Sequence, residues 1–176
     1  MNNKLKTNMK LTSRIETRAD VKAISVRLMG DYHTLDYMAA WNKLGDYCHD
    51  NHIDYNCADA EYINVYRDNP NATPADACRA DVCIASHAVE SLKPSADVGI
   101  ITIHGGRYIV YSYQGPYEGL AEANARIYGE LLPLSGEKVR TGDGVLEHCQ
   151  MFERYLNDPE TTSPEELQTE IWIPIE

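Results

Sequence analysis

The feature that most constrains this chain is that its two halves carry the same punctuation in the same order. Gly30-Asp-Tyr32 stands before the first helical pattern, and Gly115-Pro-Tyr117 stands before the second. Tyr66, Pro70, Ala80, Asp81, Val82 and Ile84 align with Tyr155, Pro159, Thr169, Glu170, Ile171 and Ile173 at one constant shift. Thr73-Pro74 falls one residue short of Ser163-Pro164. Each half reads strand, helix, strand, strand. The expected architecture is α+β: duplicated strand-helix-strand-strand units packed about a pseudo-twofold axis, with a central ligand groove along the seam.

Local patterns fill in the elements. Ile24, Val26 and Leu28 alternate with Ser25 and Arg27, the period of a half-buried strand. Thr34 is placed to cap a helix with an apolar stripe at Tyr37, Trp41, Leu44 and Cys48, which fades near Asp50 to Ile53. Strands follow over Tyr62 to Arg67 and Arg79 to Ala85, and the polar, proline-bearing stretch from Glu90 to Asp97 reads as the linker between halves. His104-Gly-Gly-Arg107, between two apolar runs, reads as a hairpin turn. A second helix carries Leu120, Ala123, Ile127 and Leu131 on one face and is expected to stop at Pro133 and Gly136. A polar loop from Gly136 to Gly144 leads to strands over Glu147 to Tyr155 and Gln168 to Ile175. Residues 1–20 are polar at their start and read as a flexible N-terminal arm, leaving 21–176 as the domain, with halves at about 21–88 and 98–176.

Charge and composition narrow the function classes. Sixteen Lys and Arg against 27 Asp and Glu leave a formal charge of −11, which opposes direct binding to nucleic acid or to an anionic membrane surface. No stretch has the length and apolarity of a membrane span, and the start of the chain lacks the apolar core of a secretory signal, so a cytoplasmic protein is expected. Five cysteines without C-x-x-C spacing suggest buried thiols rather than a zinc cluster or disulfides, and no metal or cofactor is implied. Twelve Tyr and two Trp against one Phe put a polar handle on most aromatic surface, as suits an amphipathic pocket that attracts aromatic cations.

Three segments, Gly115-Pro-Tyr-Glu-Gly-Leu120, Phe152-Glu-Arg-Tyr-Leu-Asn-Asp-Pro159 and Glu166-Leu-Gln-Thr-Glu-Ile-Trp-Ile-Pro-Ile175, together resemble the gyrase-inhibitor-like family. That family also supplies effector-binding domains to AraC-type and MerR-type transcription activators, and the likeness covers about Ala23 to Ile175. The resemblance implies a groove for lipophilic, often cationic, small molecules with a carboxylate at its bottom. The matching carboxylate is Glu153, which strand alternation puts on one face with Met151 and Tyr155. Such a glutamate is paired, protonated or awaiting a cation, and composition alone favours pairing with Arg154, Arg107 or a rim lysine. The resemblance favours the cation. It also implies ligand-wall roles for Trp41, Tyr66, Tyr113, Tyr155 and Trp172, although a tryptophan at such spacing is as readily core. Asn124 stands where the family pattern often has tryptophan, which implies a wider or more polar groove on that side.

Three functions follow. The first is capture of aromatic or lipophilic cations by a stand-alone effector-binding protein of broad specificity, each cation–π contact contributing roughly 0.5–2 kcal/mol. No helix-turn-helix unit precedes Ala23, so a role in transcription calls for a separate regulator as partner. The second is inhibition or protection of DNA gyrase by protein–protein contact, for which Glu153 would be dispensable. The third is hydrolysis of reactive small molecules with Glu153 as general base beside Tyr155 or Tyr113. No nucleophile, base and orienter set is visible, so binding without turnover is the expectation.

Overall fold

The computed structural model describes residues 9–140 and 151–176. Its strands are β1 (Leu11–Arg18), β2 (Val21–Met29), β3 (Glu61–Tyr66), β4 (Arg79–Ala85), β5 (Gly99–Ile103), β6 (Gly106–Gln114), β7 (Met151–Tyr155) and β8 (Gln168–Pro174). Helix α1 spans Tyr37–Asp50, α2 spans Leu120–Arg126 and α3 spans Leu132–Ser135. The fold is α+β: one antiparallel sheet of eight strands in the order β1-β6-β8-β7-β3-β4-β2-β5. Both halves enter their helix through a glycine turn built alike. Gly30 at φ +143° donates its amide to the Cys78 carbonyl at 2.8 Å, and Gly115 at φ +148° donates to Leu167 at 3.0 Å. No described helix is long and apolar enough to cross a membrane.

Both faces of the sheet are apolar, so both must be covered. One face carries two separate cores. Ile24, Val26, Val82 and Ile84 pack under Ala40, Leu44, Tyr47 and Cys48 of α1, and Ile109, Tyr111, Ile171 and Ile173 pack under Ala123, Ile127 and Leu132 of the second helical segment. The other face is a single core running from Ala23 and Ile103 to Tyr108, Phe152 and Trp172, and no helical residue belongs to it. The sheet curls to close this face on itself. Arginines finish the closure: the Arg18 guanidinium lies 5.3 Å from the ring centres of both Phe152 and Trp172, and Arg14 lies 6.0 Å from Trp172.

Those arginines correct the flexible-arm expectation for residues 11–18. This segment is the edge strand β1, paired with β6 along its whole length, from Leu11 opposite Tyr113 to Arg18 opposite Gly106. Its polarity conceals a strand because Arg14 and Arg18 cover aromatic rings in place of apolar contacts, with Glu16 paired to Arg14. The hairpin expected at residues 104–107 is also corrected, since β5 and β6 do not pair with each other. β5 pairs with β2, and β6 pairs with β1. The two short connections therefore cross. A Cβ on Gly105 would lie 2.4 Å from the Arg18 carbonyl oxygen and 2.6 Å from the Ala19 carbonyl carbon. The Asp20 carboxylate accepts the Gly105 amide at 2.7 Å.

The helices differ from expectation in register. Asp36, not Thr34, caps α1, its carboxylate accepting the Ala39 amide at 2.9 Å. The core face of α1 is Ala40, Leu44, Tyr47 and Cys48, which turns Tyr37 and Trp41 toward its flank. Pro133 does not stop the second helix. A π turn over Ile127–Leu131 widens the helix before the proline, so the ring is accommodated and the chain continues to Gly136, at φ +74°. The wider turn rotates the buried face by one residue, so Leu132 is buried where Leu131 was expected. The linker is mostly exposed but anchored at both flanks, where Val89 and Val98 are buried, and in its middle, where the Tyr47 hydroxyl donates to the Lys93 carbonyl. The expected strand start at Glu147 and residues 141–144 of the preceding loop lie outside the described residues.

Gly105→Ala is expected to lower stability in chemical denaturation by about 1–3 kcal/mol, because its methyl meets backbone. Gly45→Ala, within α1 and with nothing within 4 Å of the added carbon, should instead raise it by about 0.5–1 kcal/mol. Equal effects at the two sites would contradict the crossing.

Candidate functional site

The two helical segments cover the two ends of one sheet face and leave its middle open. That middle is the junction of β7 and β3, where Asn64 stands opposite Glu153 and Tyr62 opposite Tyr155. Phe152, Ile63 and Val65 point to the closed core, so alternation sends Glu153, Asn64, Tyr62, Tyr66 and Tyr155 into the gap. The result is a cleft of about 1960 Å³, with Tyr37 and Trp41 of α1 on one wall and Tyr117, Asn124 and Tyr128 on the other.

Glu153 is the floor. It is 3% exposed, and among the described residues no cation is bonded to it. Its Oε2 accepts the Tyr66 hydroxyl at 3.0 Å and the Tyr155 hydroxyl at 2.9 Å, while Oε1 accepts Asn124 Nδ2 at 3.2 Å. Arg154, one expected partner, points to the opposite face and binds Glu61 at 3.2 Å and Glu170 at 3.7 Å. Arg107 is held by Glu137 at 3.6 Å. Burial raises the Glu153 carboxyl above its usual range, and the three neutral donors hold it back in part. Burial together with the Glu153 charge pushes the Tyr66 and Tyr155 hydroxyls up, which keeps both protonated as donors at neutral pH. Tyr37 is pushed up to about 12, mainly by burial.

Aromatic edges line the route to the carboxylate. Trp41 meets Tyr62 at 6.1 Å and Tyr155 at 6.4 Å between ring centres, and Tyr155 meets Tyr117 at 5.5 Å. Asp31, Asp46, Asp68, Glu118, Asp158 and Glu160 also border the cleft. One of its arginines, Arg67, is neutralised by buried Asp81. The field along the cleft thus favours a cation.

Of the residues singled out from sequence, Glu153, Trp41, Tyr66 and Tyr155 converge on the cleft. Trp172 does not. It is 2% exposed on the opposite face, stacked on Phe152 at 5.3 Å, with its indole N–H donated to Glu170 at 3.0 Å. Tyr113 is also withdrawn: it packs in the core beneath α2, and its hydroxyl closes the turn by donating to the Pro116 carbonyl at 2.8 Å. Sequence reasoning missed Asn64, Tyr37, Tyr117 and Tyr128. Asn64 carried a readable signal, a polar residue between Tyr62 and Tyr66 on one strand face.

Comparison with known proteins agrees with this fold. The sequence model of the "GyrI-like small molecule binding domain" family matches residues 11–176. A DNA gyrase inhibitor of Yersinia enterocolitica is 28% identical over 77% of this chain and 80% of its own. The C-terminal domain of EcmrR superposes with a TM-score of 0.67 at 15% identity, covering 94% of this chain and 98% of that one. This chain spans 57% of the EcmrR chain seen in its complex with DNA. SAV2435 bound to tetraphenylphosphonium superposes with a TM-score of 0.56 at 12% identity, covering 94% of each chain.

A carboxyl raised by burial opposes folding once it ionises: the penalty is absent below the ordinary carboxylate value and grows as pH rises through the window above it. The melting temperature of Glu153→Gln relative to wild type should therefore increase between about pH 4 and about pH 8. A difference independent of pH would show that Glu153 is not held in a desolvated site.

Proposed function

The chain belongs to the GyrI-like small-molecule-binding family, and on that premise we propose that its cleft captures lipophilic aromatic cations, with Glu153 as the counter-charge and Trp41, Tyr66 and Tyr155 as the ligand wall. The observation that carries this reading is a buried carboxylate held by three neutral donors and no cation among the described residues. An apolar cation entering the cleft would supply the missing charge without the hydration cost of a small ion. Tyrosine and tryptophan faces add cation–π attraction with little directional demand, so broad specificity follows. Binding requires no cofactor. The tetraphenylphosphonium bound by SAV2435 supports the ligand class. In this reading the groove runs along a pseudo-twofold seam between the halves, and the protein acts as a stand-alone effector-binding module.

Catalysis is the weaker reading. Glu153 has the raised carboxyl that a general base needs, but each of its oxygens already accepts a hydrogen bond. Contact with gyrase or with a transcription regulator would use other surface, and Glu153 would be dispensable for it.

Tetraphenylphosphonium should quench the fluorescence of Trp41 saturably, while Trp172, behind the sheet, stays unaffected and Trp41→Phe abolishes the signal. Triphenylphosphine oxide, its neutral analogue, should bind far more weakly. Glu153→Gln should weaken the cation by about 1.5–3 kcal/mol, roughly ten- to hundredfold. Unchanged affinity in Glu153→Gln would defeat the carboxylate reading and move the weight to a protein partner.

A further inference from the structure

The floor of the cleft has more acceptors than donors, and the hydrogen-bond network fixes which atoms are left over. Tyr155 has one hydroxyl proton and gives it to Glu153, so the atom of Asn64 that meets the Tyr155 oxygen at 2.9 Å must be the amide nitrogen. Asn64 Oδ1 is left buried without a partner. Asn124 lies against two acceptors, the Leu120 carbonyl at 3.1 Å and Glu153 Oε1 at 3.2 Å, so its nitrogen faces both. Asn124 Oδ1 is likewise buried without a partner. Neither amide can flip without setting two donors or two acceptors against each other. Glu153 Oε1 accepts a single bond and has room for another. Two amide oxygens on the cleft floor therefore lack a donor, the carboxylate's Oε1 has room for a second, and Asn64 is 4% exposed.

A quaternary cation would satisfy the charge of Glu153 and leave both amide oxygens unpaired, which is costly in a buried site. A cation bearing N–H groups brings the donors that these oxygens lack as well as the charge. We propose that the Asn64, Asn124 and Glu153 oxygens select ligands whose positive charge sits on an N–H-bearing group, a protonated primary amine or an amidinium carried on an aromatic body, over quaternary cations of the same size. The inference rests on the cation-binding reading above and names the ligand class within it. Asn124 acquires a role here that a tryptophan at its position could not fill.

The test compares three ligands on one aromatic frame by calorimetry: naphthylmethylammonium, its N,N,N-trimethyl derivative and neutral naphthylmethanol. The ammonium should bind the wild-type protein about tenfold more tightly than the trimethyl derivative, the gain of roughly one charge-assisted hydrogen bond, with the alcohol weaker than both. Asn124→Leu should close that gap, read as the ratio of ammonium to trimethyl affinity within the variant, so that any change at Glu153 common to both cations cancels. Asn64→Leu should do the same wherever it folds, and the comparison within the wild type stands without it. Trimethyl binding equal to or tighter than ammonium binding would overturn the N–H selection and leave the cation cleft intact. Binding of neither cation would overturn the cleft reading itself.

Discussion

A sheet that is apolar on both faces has to find two covers, and the described helices cover only parts of one. α1 and the segment from Leu120 to Ser135 each shield one end of the same face, which leaves the β3–β7 junction bare. Among the described residues the opposite face has no helix and is closed by curvature, by stacked Phe152 and Trp172, and by arginines laid over the rings. The cleft is thus a by-product of how the sheet is covered. Because its floor is made of sheet, its groups are held by cross-strand register rather than by loops.

The polar groups of that floor form a compromise between solvation and availability. A carboxylate shut in with an arginine would be more stable and less useful, since its charge would already be answered. Hydroxyl and amide donors moderate the cost of ionisation without cancelling the charge. They also have fixed protonation at neutral pH, because burial drives the Tyr66 and Tyr155 hydroxyls up. Structural ion pairs are placed elsewhere: Arg67 and Arg27 on Asp81, Arg18 and Arg154 on Glu61. At the β3–β7 junction the Glu153 charge is met by neutral donors alone among the described residues.

Much of this was legible in the sequence where a residue's chemistry matched its local period. The strands with apolar alternation, the two glycine turns and the inward course of Glu153 could be read directly. The edge strand Leu11–Arg18 could not, because its inward residues are arginines whose partners, Phe152 and Trp172, are more than a hundred positions away. Trp172 and Tyr113 were misplaced for a related reason: an aromatic residue on a strand reads the same whichever face it takes, and only pairing registers such as Phe152 with Trp172 decide. Pro133 misled because the π turn that tolerates it has no local sequence mark. Asn64 and Asn124 became meaningful only when the two halves met.

The crossed connections at Arg18–Asp20 and Gly105 have a consequence for how the molecule comes into being. The two strands that lead into the crossing, β1 and β5, each pair outside the element that follows in the chain, β1 with β6 and β5 with β2. Pairings this distant in sequence form late and slowly. A nascent chain released as far as the linker would hold β2 without β5, and β3 without β7. The floor of the cleft is therefore absent from any product of synthesis that stops short of β7, and Asn64 waits for Glu153 across most of the chain's length.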